Sequence, residues 1–185
     1  VGRLAIKCNT TGASNVGIGQ CALCKNTTAG AVNAFGAEAL KNNTTGGCNN
    51  AFGKSALENN TTGSCNIAIG HYAMGSNTTG CLNTGVGHNA LTDNTTGEFN
   101  TAVGVALYNN TTASNNTAVG YNSLATNTTG AGNTAIGLNS LVLNTTGASN
   151  VAVGCGALTA NTTANNNVAV GMCAMLATTT GANNT

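Results

Sequence analysis

Asn-Thr-Thr recurs along this chain at Asn9, Asn26, Asn43, Asn60, Asn77, Asn94, Asn110, Asn127, Asn144 and Asn161. The interval is seventeen residues throughout, except for one of sixteen between Asn94 and Asn110, and Thr178 takes the place of Asn in the last copy. A fixed period of this length means a solenoid: each repeat is one supersecondary unit that cannot bury its own apolar side and must stack on its neighbours. Counted from the Asn as slot one, the seventeen slots read N-T-T-G-x-x-N-x-A-V-G-x-x-A-L-x-x.

Seventeen residues are too few for a helical hairpin, and the repeat is rich in helix breakers. Its apolar slots also lack the three-to-four spacing of an amphipathic helix. Short strands joined by Gly and Asn turns fit instead. The expected fold is all-β, a parallel β-solenoid (β-roll or β-helix) with one repeat per coil and about eleven coils. Residues 1–185 form a single repeat domain, a rod roughly 50 Å long at about 4.8 Å per coil.

Slot ten is always large and apolar, as Ile18, Phe35, Phe52, Ile69, Val86, Val103, Val119, Ile136, Val153 and Val170. Together with slot fifteen, which holds Leu23, Leu40, Leu57, Met74, Leu91, Leu124, Leu141, Leu158 and Met175, it is expected to form a thin continuous core. Slot nine is Gly17, Gly85 or one of Ala34, Ala51, Ala68, Ala102, Ala118, Ala135, Ala152 and Ala169. Strand alternation turns this column away from slot ten, so it is expected to make a flat outer face against which another chain packs. Slot eleven is Gly in every repeat, which implies positive φ or a backbone approach that a Cβ would block. The slot-one Asn residues, stacked in register, are expected to bond amide to amide along the rod as a ladder.

Five basic and four acidic side chains leave a net charge of +1. That excludes the clustered Lys and Arg that nucleic acid or an anionic membrane requires. No stretch is long and apolar enough to insert in a bilayer. The charged residues occupy slots five, twelve, thirteen, sixteen and seventeen, which marks those slots as solvated. Val1-Gly2 falls in slots ten and eleven and Asn184-Thr185 in slots seven and eight, with no polar cap at either end. The expectation is an internal piece of a longer array, or a filament subunit with uncapped ends.

Cys48 and Cys65 share slot six of successive coils, which sets their Cα atoms about 4.8 Å apart, inside the usual disulfide range. Cys8 and Cys24 occupy slots seventeen and sixteen of adjacent coils, and Cys155 and Cys173 slots twelve and thirteen. Disulfides within or between chains are the favoured expectation over free thiols or metal, and they imply an oxidising, extracellular setting. His71 and His88 share slot twelve, but no carboxylate or thiol converges on them, so no metal or cofactor is expected. Each Asn-Thr-Thr is formally a glycosylation sequon, yet a glycan on every coil would be too crowded, and a ladder accounts for the motif. One Asp, three Glu and two His are scattered through variable slots, and Ser55, Ser123 and Ser140 have no His and acid to activate them. The chain is therefore not expected to be an enzyme.

The phrase Asn-Thr-Ala-Val-Gly-x-x-Ala-Leu, near-complete at Asn100–Leu107, Asn116–Leu124 and Asn133–Leu141, resembles repeats of bacterial surface proteins and phage tail fibres. It is also similar to the Val-Ala-Ile-Gly repeats in the heads of trimeric autotransporter adhesins, where three chains form left-handed parallel β-rolls. The resemblance implies a structural, adhesive fibre at the cell or virion surface. Its partners would be copies of itself, joined end to end and laterally, with a trimer as the assembly that the adhesin heads suggest, and a host surface or glycan. The alternative is an ice-binding or other surface-binding solenoid. It would present paired columns of Asn and Thr if slots one and three face outward together.

Overall fold

The computed structural model describes residues 2–185; Val1 and its place in slot ten lie outside them. Slots eight to ten form a three-residue strand in each repeat: β1 (Val16–Ile18), β2 (Asn33–Phe35), β3 (Asn50–Phe52), β4 (Ile67–Ile69), β5 (Thr84–Val86), β6 (Thr101–Val103), β7 (Thr117–Val119), β8 (Thr134–Ile136), β9 (Val151–Val153) and β10 (Val168–Val170). They lie in one parallel sheet in chain order, so the fold is a β-solenoid. There are ten strands, with nine turns between first and last, against the eleven coils expected; the repeat opening at Thr178 contributes no strand. Equivalent slots face each other, Ala34 on Ala51 and Phe35 on Phe52. The two Phe rings stack at 4.7 Å, the spacing of neighbouring strands.

Two columns of buried Asn run the length of the rod. In slot one, Nδ2 of each Asn donates to Oδ1 of the Asn one coil earlier, from Asn26 on Asn9 (2.7 Å) to Asn161 on Asn144 (2.8 Å). The other Nδ2 hydrogen goes to the slot-four carbonyl of the same coil, as from Asn60 to Gly63 (2.9 Å). In slot seven, Oδ1 accepts the backbone N–H of the next slot seven, as Asn49 does from Asn66 (2.9 Å), and Nδ2 donates to the slot-four carbonyl of the next coil, as Asn49 does to Gly63 (2.7 Å). The Gly63 carbonyl thus takes one donor from each column, and the same junction recurs at Gly80, Gly97 and Gly147. Burying an unpaired amide costs about 1–3 kcal/mol; here both ends of each buried side chain are engaged, Asn161 Oδ1 excepted. Slot-two Thr adds a third file, its Oγ1 donating to the next slot-two carbonyl, as Thr44 does to Thr61 (3.0 Å).

The remaining interior is smaller than expected, and slots nine and ten exchange places. Ala34, Ala51, Ala68, Ala102, Ala118, Ala135 and Ala152 are fully buried and Ala169 nearly so, whereas Ile18, Phe52, Ile69, Val103, Ile136 and Val170 are exposed and Phe35, Val86, Val119 and Val153 half-exposed. Slot nine faces slot fifteen across a narrow lumen: a Cβ added to Gly85 would lie 3.0 Å from Met74 Cγ, and one added to Gly17 would lie 2.7 Å from Ile6 Cγ1. The Asn columns fill the rest of the cross-section, so only a methyl fits opposite Leu. Wherever slot fifteen is Leu the facing residue is Ala, and it becomes Gly opposite Met74 and Ile6. Slot fifteen is the core column expected, with Leu23, Leu40, Leu57, Met74, Leu91, Leu107, Leu124, Leu141 and Leu158 fully buried.

The path from strand to core runs through left-handed residues. Slot eleven needs Gly on both counts: Gly36 has φ 141°, and a Cβ there would sit 2.4 Å from the carbonyl oxygen of Gly53. Slots thirteen and fifteen also have positive φ without being Gly, as at Tyr72 (56°) and Met74 (53°). Ala73 N–H bonds the Gly70 carbonyl (3.4 Å) and Gly75 N–H the Tyr72 carbonyl (3.1 Å), two successive turns whose third residue is left-handed, as in type II turns. That conformation costs a non-Gly residue about 1–2 kcal/mol. Burying a Leu side chain contributes about 1.5–3 kcal/mol, enough to offset it. The short interval removes one residue from this turn, between Gly104 and Leu107. Leu107 stays buried, and Asn110 still reaches Asn94 at 2.8 Å.

The Asn columns have two breaks. Val32 stands in slot seven and has no side-chain oxygen for Asn49. Thr178 replaces the next slot-one Asn, and Asn161 Oδ1 is left buried without a partner; among the described residues only Ser55 Oγ shares that state. Thr178→Asn should supply the missing donor and raise unfolding free energy by about 1 kcal/mol, measured by chemical denaturation. Gly85→Ala should cost about 1 kcal/mol through crowding on Met74. Added to Met74→Leu, the same change should be neutral or stabilising, a coupling that a double-mutant cycle measures.

Candidate interaction surface

Among the described residues no cavity opens into the rod, so what the chain offers a partner is its outer columns. The most continuous is apolar. Each strand buries its central residue and turns the other two outward. Slot ten therefore forms a file of Ile, Phe and Val along the whole sheet, with Ile18 and Ile69 each 43% exposed. In the ten strands slot eight beside it carries Val16, Ile67, Val151 and Val168 with Asn33, Asn50 and four Thr. No charged residue lies in either slot. The patch is a contiguous uncharged file along one face, unlike apolar residues scattered singly over a surface.

The column expected to carry lateral contacts, Ala34 through Ala169, is sealed inside the coil and meets no outside surface. The apolar column takes the outward position that was assigned to it. The alternative face of paired Asn and Thr also fails to form, because slot-one Asn is buried from Asn26 to Asn161. Slot-three Thr alone stays exposed, as at Thr45, Thr62 and Thr79. From Asn26 to Asn161 the slot-one Nδ2 groups are buried and donate to Oδ1 of the preceding coil and to the slot-four carbonyl, so those sequons are closed in the folded rod.

Charge is sparse and local. Lys41 lies between Glu38 (3.3 Å) and Glu58 one coil on (3.4 Å), and the hydrogen bond to Glu38 leads the effects that raise its ammonium pKa. At this exposure such a pair contributes little. His71 and His88 stack at 5.3 Å, and Tyr72 meets His71 edge-on at 4.3 Å. Among the described residues no three His, Cys, Asp or Glu are grouped to hold a metal ion. All eight cysteines are free thiols in this structure, including Cys48, Cys65, Cys8, Cys24, Cys155 and Cys173. Compared with protein-family models, curated proteins and solved structures, the chain matches none.

The outward column was missed because strand alternation fixes only that slots nine and ten face opposite ways. Which way is inside depends on the width of the lumen. The pairing of Ala with Leu and of Gly with Met74 or Ile6 was the sequence signal that slot nine faces slot fifteen. Ala102→Val should therefore cost about 1–3 kcal/mol by overpacking. Its neighbour Val103→Lys should stay within about 0.5 kcal/mol of wild type, both read by denaturation of the monomer.

Proposed function

We propose that the chain is a structural, adhesive element of an extracellular fibre, a non-catalytic rod whose copies associate side by side through the apolar file of slot ten. The observation that carries this reading is the uncharged outer column from Ile18 to Val170. Its ridges repeat at the 4.7 Å seen between Phe35 and Phe52. A surface that matches this spacing over ten strands is another sheet of the same kind, so a second copy is the natural occupant. The rod lengthens by one rung per repeat without a new core, which suits a spacer or fibre. The likeness of the Asn-Thr-Ala-Val-Gly phrase to bacterial surface and phage tail-fibre repeats supports the cell or virion surface as its place, and a host surface or glycan as its target.

A second reading, binding to a regular lattice such as ice, is favoured by the exposed slot-three Thr file. Thermal hysteresis above that of buffer would decide for it. For the fibre, negative-stain microscopy and sedimentation of the purified chain should show rods that bundle laterally. Val103→Lys with Val119→Lys should return single rods of unchanged circular dichroism. Compact particles, or bundles indifferent to those two changes, would contradict the reading.

A further inference from the structure

Every cysteine in the chain has another cysteine beside it across a rung or a turn. Cys8 N–H bonds the Cys24 carbonyl (3.2 Å), and Cys24 N–H closes on Cys21 (3.3 Å). Cys173 N–H bonds the Cys155 carbonyl at 2.8 Å. Cys48 and Cys65 share slot six in successive coils, and Cys81 follows in slot five of the next.

The pair in slot six is the best placed. Both side chains are exposed, and the two backbones match, with φ 56° at Cys48 and 60° at Cys65. Cys65 N–H donates to the carbonyl of Gly47, the residue before Cys48, at 3.0 Å, which holds the two coils in register. One rung of about 4.8 Å then separates the Cα atoms, within the roughly 4.4–6.8 Å that a disulfide spans. The Cys48 thiol lies near enough to that of Cys65 to raise its pKa.

We propose that Cys48 and Cys65 are a redox pair that closes a rung-to-rung disulfide, stapling the coil that opens at Asn43 to the coil that opens at Asn60. The oxidant is an external disulfide of the glutathione class. One protein thiol loses its proton and attacks it, forming a mixed disulfide and releasing one small thiolate. The second protein thiol loses its proton and attacks the protein sulfur of that mixed disulfide, forming the Cys48–Cys65 bond and releasing the other. Two protein thiols are oxidised and one external disulfide is reduced to two thiols. Partial desolvation beside the neighbouring coils, and next the Cys48 thiol, raise the Cys65 thiol pKa although the side chain is exposed, so closure quickens as pH rises. The staple lies one rung beyond Val32, where the slot-seven column lacks its oxygen. It reinforces the stack beside its weaker rung.

The full chain, purified reduced, is equilibrated with excess oxidised glutathione at pH 8.5, unfolded, alkylated and mapped by mass spectrometry. Cys48 and Cys65 should escape alkylation together and appear in one linked peptide pair. The melting temperature should exceed that of the reduced chain by about 5 °C or more. Cys81→Ser should leave the link intact. Cys48→Ser should leave Cys65 alkylatable and forfeit part of the melting-temperature rise, with the reduced variant's circular dichroism confirming that it folds. Both thiols remaining alkylatable in the wild type, Cys65 linking to Cys81 instead, or links forming only between chains would each overturn the proposal.

Discussion

The structure depends on one junction, the slot-four carbonyl that accepts two side-chain amides, one from each Asn column. At Gly63 these donors are Asn60 and Asn49, at 2.9 and 2.7 Å. The junction binds one coil to itself and to the coil before it. It also explains a composition that would otherwise point to disorder. Asn is polar enough to need partners when buried, and a parallel stack in register is an arrangement that supplies them at every rung. Ionised side chains cannot repeat in such a column without like charges meeting every few ångströms, and the nine charged residues stay in the variable slots.

The rest of the cross-section follows from what the columns leave free. A lumen already holding two Asn per coil has room for one Leu and the methyl groups that face it. The larger apolar residues of the strands are therefore turned to the outside. The same geometry that makes the interior economical makes the exterior apolar, and an apolar exterior of this regularity is suited to its own copy. The lateral association proposed for the rod would in this sense be a consequence of the narrow coil, not a separate device added to it.

Much of this was legible in the sequence. The seventeen-residue period specified stacking, the Gly of slot eleven marked a corner, and Asn in register implied a ladder. The Leu of slot fifteen was rightly placed inside. What the pattern of apolar residues could not convey was the diameter of the coil, and so Val119 was placed inside and Ala118 outside. Left-handed Leu at slot fifteen was equally hidden, because local preference disfavours it and only burial in the finished stack offsets the cost. The second Asn column was partly visible in slot seven, but its bonds to backbone N–H and to slot-four carbonyls depend on how the turn folds. The backbone bonds that bring Cys8 and Cys21 beside Cys24 likewise depend on that turn.

The central claim is that the Asn side chains of slots one and seven are the interior bonds of the rod. Hydrogen exchange of the side-chain Nδ2 groups, followed by NMR on the folded chain, tests it most directly. The account predicts strong protection for Asn60, Asn66, Asn77 and Asn83, and rapid exchange for the exposed Asn115 and Asn165. Exchange of the first four at the rate of a free amide, while the backbone stays folded, would contradict it.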